Sequence, residues 1–121
     1  MDTESNTRPS FQPDLNGVLI WNPQPTEGET VLWEGPANNN YAEGSGLLTW
    51  YWQGAIVSVY QGVMVAGKPH GQGKYSFADG DKYEGEWVEG LRHGYGRQWY
   101  RDGRYYEGLW EQDKPTGPTS I

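Results

Sequence analysis

The 121-residue chain contains no cysteine. That excludes a disulfide framework and thiolate chemistry, and nothing in it requires an oxidising compartment. No apolar run reaches the length of a membrane-spanning helix. The opening Met1-Asp-Thr-Glu-Ser-Asn6 is acidic and polar, without the basic and apolar regions of a signal peptide. A cytoplasmic location is therefore expected. Cations are scarce: 9 Lys and Arg stand against 16 Asp and Glu, for a net charge of −7. Nonspecific binding to nucleic acid or an anionic bilayer needs clustered cations. Nucleic acid is thus not an expected partner, and a membrane is not favoured. Hydrophobic content is low, at 35%. No apolar stripe of helical period occurs, so no helix is expected.

What the chain has instead is rings and glycine: 15% aromatic residues and 18 glycines. Aromatic side chains carry a large apolar area each, so a thin fold can still be stable. These residues recur at a fixed spacing. Tyr60-Gln-Gly62, Tyr83-Glu-Gly85-Glu-Trp87 and Tyr106-Glu-Gly108-Leu-Trp110 begin 23 residues apart. His70-Gly71-Gln-Gly73 and His93-Gly94-Tyr-Gly96 follow the first two at the same offset. Trp33-Glu-Gly35 and Glu43-Gly44-Ser-Gly46 read as a degraded earlier copy. The spacing from Trp33 to Tyr60 is four residues longer than the period, which places an insertion near Gln53-Gly54-Ala55-Ile56. A period of this length marks a repeat architecture with atypical terminal copies.

Each copy reads as a β-hairpin. Tyr83, Gly85 and Trp87 share one parity while Glu84, Glu86 and Val88 share the other, giving an aromatic face and an acidic face. Gly90 to Gly94 makes the return, and a second strand runs from about Gly94 to Tyr100. Asp79-Gly80 and Asp102-Gly103 turn into the next copy. Trp50, Phe77 and Tyr100 fall at one offset and extend the ring ladder, and Gly62, Gly85 and Gly108 leave room beside it. Val18 to Trp21 predicts a first strand, broken by Asn22-Pro-Gln-Pro25. The fold class is all-β: a single elongated, twisted antiparallel sheet of successive hairpins. Residues 1–14 are expected as a flexible arm and 15–121 as the repeat domain, with copies at about 33–59, 60–82, 83–105 and a partial 106–121.

The pattern Tyr-x-Gly-x-Trp-x-x-Gly-x-x-His-Gly-x-Gly resembles the MORN repeat, and Trp21-Asn-Pro-Gln-Pro before Trp33-Glu-Gly resembles the leader of small bacterial MORN proteins. The resemblance implies a ladder of β-hairpins that serves protein–protein contact, scaffolding or self-association. Phospholipid binding gave the family its name and is not a safe inference for every member.

His70 and His93 share a repeat phase, but same-phase positions on successive hairpins lie about 10 Å apart. Zinc needs ligands about 2 Å from one ion, so backbone-bonding loop histidines are the expectation. Glu84 and Glu107 invite a glycosidase reading that strand alternation already explains. No triad, phosphate loop or metalloprotease motif is present. No catalytic, cofactor or metal residues are assigned. Arg92, Arg97, Arg101 and Arg104 interleave with Tyr95, Trp99, Tyr100 and Tyr105, and form the best candidate contact. The competing reading pairs them with Glu84, Glu86, Glu89 and Asp102. Tyr106 and Trp110, in the unfinished last copy, complete the candidate set, because an open hairpin ladder leaves strand edges that must be covered or paired. The expected function is non-enzymatic binding of another protein, as scaffold, adaptor or acidic inhibitor, with a homodimer through the C-terminal end as one form of it. The alternative is binding of lipid headgroups or carbohydrate through the arginine and aromatic surface.

Overall fold

Pairs of residues with positive φ set the architecture. The computed structural model describes residues 10–117. Its strands reverse at Gln53-Gly54 (φ 51° and 85°), Ala66-Gly67 (51° and 83°), Glu89-Gly90 (49° and 87°) and Gln112-Asp113 (48° and 74°). Two successive positive φ values make a type I′ turn, whose twist matches that of the strands it joins. The last three of these turns repeat every 23 residues. The return is therefore tighter than the Gly90–Gly94 segment expected from sequence: Leu91 and Arg92 already lie in the second strand.

Twelve strands result: β1 Phe11–Pro13, β2 Leu19–Trp21, β3 Glu29–Glu34, β4 Ala37–Asn38, β5 Tyr41–Ala42, β6 Gly44–Trp52, β7 Ala55–Val65, β8 Lys68–Phe77, β9 Lys82–Val88, β10 Leu91–Trp99, β11 Tyr105–Glu111 and β12 Lys114–Pro115. Eight form one sheet in the order β12-β11-β10-β9-β8-β7-β6-β3, with every neighbour antiparallel. This is the expected ladder of consecutive hairpins. The Asp79-Gly80 and Asp102-Gly103 segments make wider loops, closed by Phe77 N–H to Asp81 O and Tyr100 N–H to Arg104 O, both 2.9 Å. The Asp79 and Asp102 carboxylates accept the amides of Asp81 and Arg104, the local turn that favours Asp here. The four extra residues near Gln53 lengthen the β6–β7 hairpin, adding the pairs Tyr51↔Ile56 and Trp52↔Ala55.

The His-Gly step has a backbone role. Between Gly62 and Met64 on β7 the register with β8 shifts, so that Pro69 to Gly73 oppose a shorter stretch. The same happens between Arg92 and Gly96 on β10. Gly71 and Gly94 sit in these bulges at φ 91° and 83°.

One feature departs from the sequence reading. A second, four-stranded sheet, β1-β2-β5-β4, lies beside the first, and its β2–β5 pair is parallel. The arm expected over 1–14 ends earlier than that: β1 pairs with β2, and Asp14 is buried. Residues 1–9 lie outside the described residues. The Asp14 carboxylate accepts three backbone amides, from Asn16, Val18 and Trp33, each at 2.8 Å. Leu15 N–H donates to Val31 O, and the Gln12 amide donates to Glu29 O. The outer edge of β3 is thus covered by this segment, which protects an otherwise open sheet edge.

Replacing Asp14 with Ala strips three backbone amides of their acceptor, the buried Trp33 amide among them. It should destabilise the protein by about 2–5 kcal/mol, read as a lowered urea midpoint. A loss within 0.5 kcal/mol contradicts the capping role.

Candidate functional site

Strand parity puts the rings of the first strands β7, β9 and β11 on the same face. Tyr60, Tyr83, Trp87, Tyr106 and Trp110 are buried there. They touch edge to face in an unbroken series: Tyr60–Trp87 at 5.7 Å, Trp87–Tyr83 at 5.1 Å, Tyr83–Trp110 at 5.3 Å and Trp110–Tyr106 at 5.5 Å. This geometry suits the aromatic quadrupole and adds about 0.5–1.5 kcal/mol per pair beyond area burial.

Beneath the rings runs a row of glycines. Gly46, Gly62, Gly73, Gly85, Gly96 and Gly108 face one another in register across β6 to β11. A Cβ on Gly96 would collide with the Tyr83 ring, and one on Gly73 with the Tyr60 ring. The tyrosines lie flat over this row and donate to the carbonyl three residues on: Tyr60 to Val63 O at 2.7 Å, Tyr83 to Glu86 O at 2.9 Å and Tyr106 to Leu109 O at 2.8 Å. The tryptophans donate across strands, Trp87 to Gly73 O at 3.1 Å and Trp110 to Gly96 O at 3.4 Å. Burial pushes the Tyr83 hydroxyl up to about 12, with Arg92 opposing the rise, and also raises Tyr60.

Above the ring face, between it and the small sheet, opens a groove of about 400 Å³. Trp21 and Ile20 wall it on one side, and Trp50, Tyr75, Phe77 and Trp87 on the other. A neighbouring hollow of about 470 Å³ continues it past Tyr83 and Tyr100. Tyr75 and Phe77 stack at 4.9 Å and 10°, and Phe77 is 44% exposed at the rim. Burial pushes the Tyr75 hydroxyl up to about 12; the nearby Ser58 and Trp50 donors temper the rise, and the Glu29 charge adds to it. The Trp50 indole N–H nevertheless reaches no acceptor with hydrogen-bond geometry. Glu29, Asp81 and Asp113 stand along the groove. The groove joins aromatic walls to carboxylates and presents no nucleophile paired with a base.

The arginine cluster is not one site. Arg92 belongs to the core: its Nε meets Asp113 Oδ1 at 2.6 Å, Nη1 meets Gln98 at 2.9 Å, and the guanidinium lies 4.4 Å from the Trp110 ring. It holds neighbouring repeats together and is not free for a partner. Arg97 faces Glu107 at 4.0 Å, Arg101 pairs with Asp79 at 3.1 Å, and Arg104 pairs with Asp102 at 2.9 Å while lying 4.6 Å from the Tyr100 ring. Pairing within the sheet is therefore observed, but of the expected acids only Asp102 takes part. Trp99 packs against Tyr105 at 5.4 Å, with Lys82 5.0 Å from its ring. Tyr106 and Trp110 are 4% and 3% exposed, so as surface contacts both are corrected: Trp110 packs on Tyr83 of the preceding repeat, and Tyr106 packs on Trp110. His70 and His93 accept the amides of Glu89 and Gln112 through Nδ1 at 3.1 and 3.4 Å, which is the backbone role expected of them. Glu84 and Glu107 both lie opposite Arg97, so a cation separates the carboxylates. Among the described residues no cluster of acids and histidines could hold a metal ion.

Sequence reasoning missed Asp113, Gln98 and Tyr75. The visible signal was a difference between copies: Pro69 and Tyr75 of one become Arg92 and Gln98 of the next, where Arg92 donates to both Gln98 and Asp113.

The raised tyrosines carry a pH prediction. The folded state favours the neutral phenol, so their contribution is complete below the unfolded value near 10. It is lost as pH rises through about 12. Melting temperature should hold level up to pH 10 and fall above it, with phenolate absorbance at 295 nm lagging behind that of a free tyrosine. Full ionisation at pH 10.5 with no loss of melting temperature would contradict ring burial. Arg92→Ala should lower stability by about 2–4 kcal/mol and Arg101→Ala by under about 0.5 kcal/mol, both read from urea unfolding.

Comparison with known proteins agrees with the geometry. Residues 60–82, 83–103 and 106–118 match the MORN repeat family. No curated protein matches the chain. The period, the hairpins and the rings over glycine all belong to that repeat, and the chain is a MORN-repeat protein.

Proposed function

We propose that the chain is a non-enzymatic module that binds another protein through the aromatic groove between its small sheet and its ring face. MORN repeats are generally protein- or membrane-binding modules, and the family is typically non-enzymatic. The observation that carries the reading is the groove itself: an apolar, ring-walled concavity on a chain of net charge −7. Concave aromatic surfaces with few polar groups are the usual form of binding sites. Glu29 and Asp81 along it, neither in an ion pair among the described residues, favour an extended partner segment that joins an apolar anchor to a basic residue. A cytoplasmic setting fits a chain without cysteine. The lipid or carbohydrate reading has less support, since Arg97, Arg101 and Arg104 each face a carboxylate.

Phe77 is the residue for the test, because it is exposed at the rim and its removal leaves the buried ladder in place. Cross-linking from native lysate with wild-type and Phe77→Ala baits should give partners captured by the first and lost, by about tenfold or more, from the second. Capture should weaken in high salt. Equal recovery on both baits would exclude the groove as the contact.

A further inference from the structure

The face opposite the rings does not have the acidic character expected of it from sequence. The expectation followed the parity of the first strand alone. The second strands β8 and β10 supply a cation at the facing position, so the charges alternate from β8 to β11. Lys74 on β8 lies opposite Glu84 on β9, Glu84 opposite Arg97 on β10, and Arg97 opposite Glu107 on β11. All four side chains are exposed. Among the described residues Lys74 and Glu84 enter no ion pair, and only Arg97 and Glu107 approach each other, at 4.0 Å. Tyr95 and Leu109 rise beside this row, with Leu109 60% exposed.

A row of alternating sign is most fully complementary to itself about the axis that sets all four charges against opposite ones. Take a two-fold axis lying in the contact plane, parallel to the strands and midway between β9 and β10. It sets β8 against β11 of a second copy, and β9 against its β10. Lys74 then meets Glu107 of the second copy, and Glu84 meets its Arg97, each contact occurring twice. In the adjoining rows Glu86 lies over Tyr95, whose hydroxyl already donates to Glu107 of its own chain, Gln72 meets Leu109, Lys82 meets the Trp99 ring and Ser76 meets Tyr105. No like charges meet. An axis running along any one strand, or along the row itself, sets charge against like charge. We propose that this face docks a second copy of the chain as a face-to-face dimer of two-fold symmetry. The contact is four strands wide, about 14 Å from the centre of β8 to that of β11. That is small beside a standard interface of about 800 Å² per partner, so the dimer is weak and sensitive to salt. It lies on the side away from the groove and stands or falls independently of partner binding there.

The test uses the full chain in analytical ultracentrifugation across a concentration series at low and high salt. The wild type should associate at low salt and dissociate at high salt. Lys74→Glu and Glu107→Lys should each weaken association by about tenfold, because each breaks two symmetric contacts. The double variant Lys74→Glu/Glu107→Lys should return to within about threefold of wild type. Within one chain these two residues are three strands apart and out of contact, so rescue reads only contact between copies. Lys114→Glu changes the net charge equally at the C-terminal edge and should have a smaller effect than Lys74→Glu. Circular dichroism checks that each variant is folded. A monomeric wild type at every concentration overturns the proposal. So does a dimer indifferent to Lys74, a double variant without rescue, or a dimer more sensitive to Lys114, which would place the contact at the edge of the sheet.

Discussion

The tyrosine ring lying on a glycine row is the contact on which the rest of the structure depends. A ring can reach the carbonyl three residues along its own strand only if the position between has no side chain, and only if the facing residue on the next strand has none either. Gly85 and Gly96 meet both conditions for Tyr83. Once the phenol is flat, its exposed edge receives the tryptophans on either side, Trp87 and Trp110. Each hairpin therefore completes its packing on its neighbour, as stacked repeats require. The tight turns and the His-Gly bulge serve the same contact, by keeping glycine opposite glycine from β6 to β11.

This explains what the chain can vary and what it cannot. Tyr, Gly and Trp positions recur because they hold the ladder. The second strand varies more freely, and there the copies diverge into chemistry. Pro69 and Tyr75 leave an open apolar hollow in one copy, whereas in the next Arg92 fills the equivalent place, bonded to Gln98 on one side and Asp113 on the other. The groove lies over the first arrangement and ends at the second. The same strands supply Lys74 and Arg97 to the opposite face. Both proposed binding surfaces thus arise from the less repetitive strand of each hairpin, carried by the repetitive one.

The hairpins, their order and the ring face were legible because period two and the 23-residue echo act locally and recur. Of the small sheet only β2, within the expected Val18 to Trp21 strand, was legible. Its strands are two or three residues long, and its parallel pair joins Leu19 to Tyr41 across a distance no periodicity spans. Asp14 looked like part of a polar arm; only the fold brings Trp33 N–H to its carboxylate. Arg92 looked available because its partner, Asp113, comes 21 residues later in a copy that had seemed merely degraded. Tyr106 and Trp110 read as available because the last copy is incomplete, yet Trp110 packs on Tyr83 of the repeat before and Tyr106 on Trp110. The candidate site was misjudged where a side chain's partner lay a full repeat away.

The central claim is that ring and glycine act as one unit, and a double-mutant cycle measures it most directly. Gly108 and Tyr106 suit the purpose, since a Cβ on Gly108 would stand 2.8 Å from the Tyr106 hydroxyl oxygen and both lie in the terminal repeat. Urea unfolding of Gly108→Ala, Tyr106→Leu and the double variant gives the coupling. The account predicts that the added methyl is destabilising beside the tyrosine and loses at least about 1 kcal/mol of that effect once the ring is gone. Additive effects of the two substitutions would contradict it.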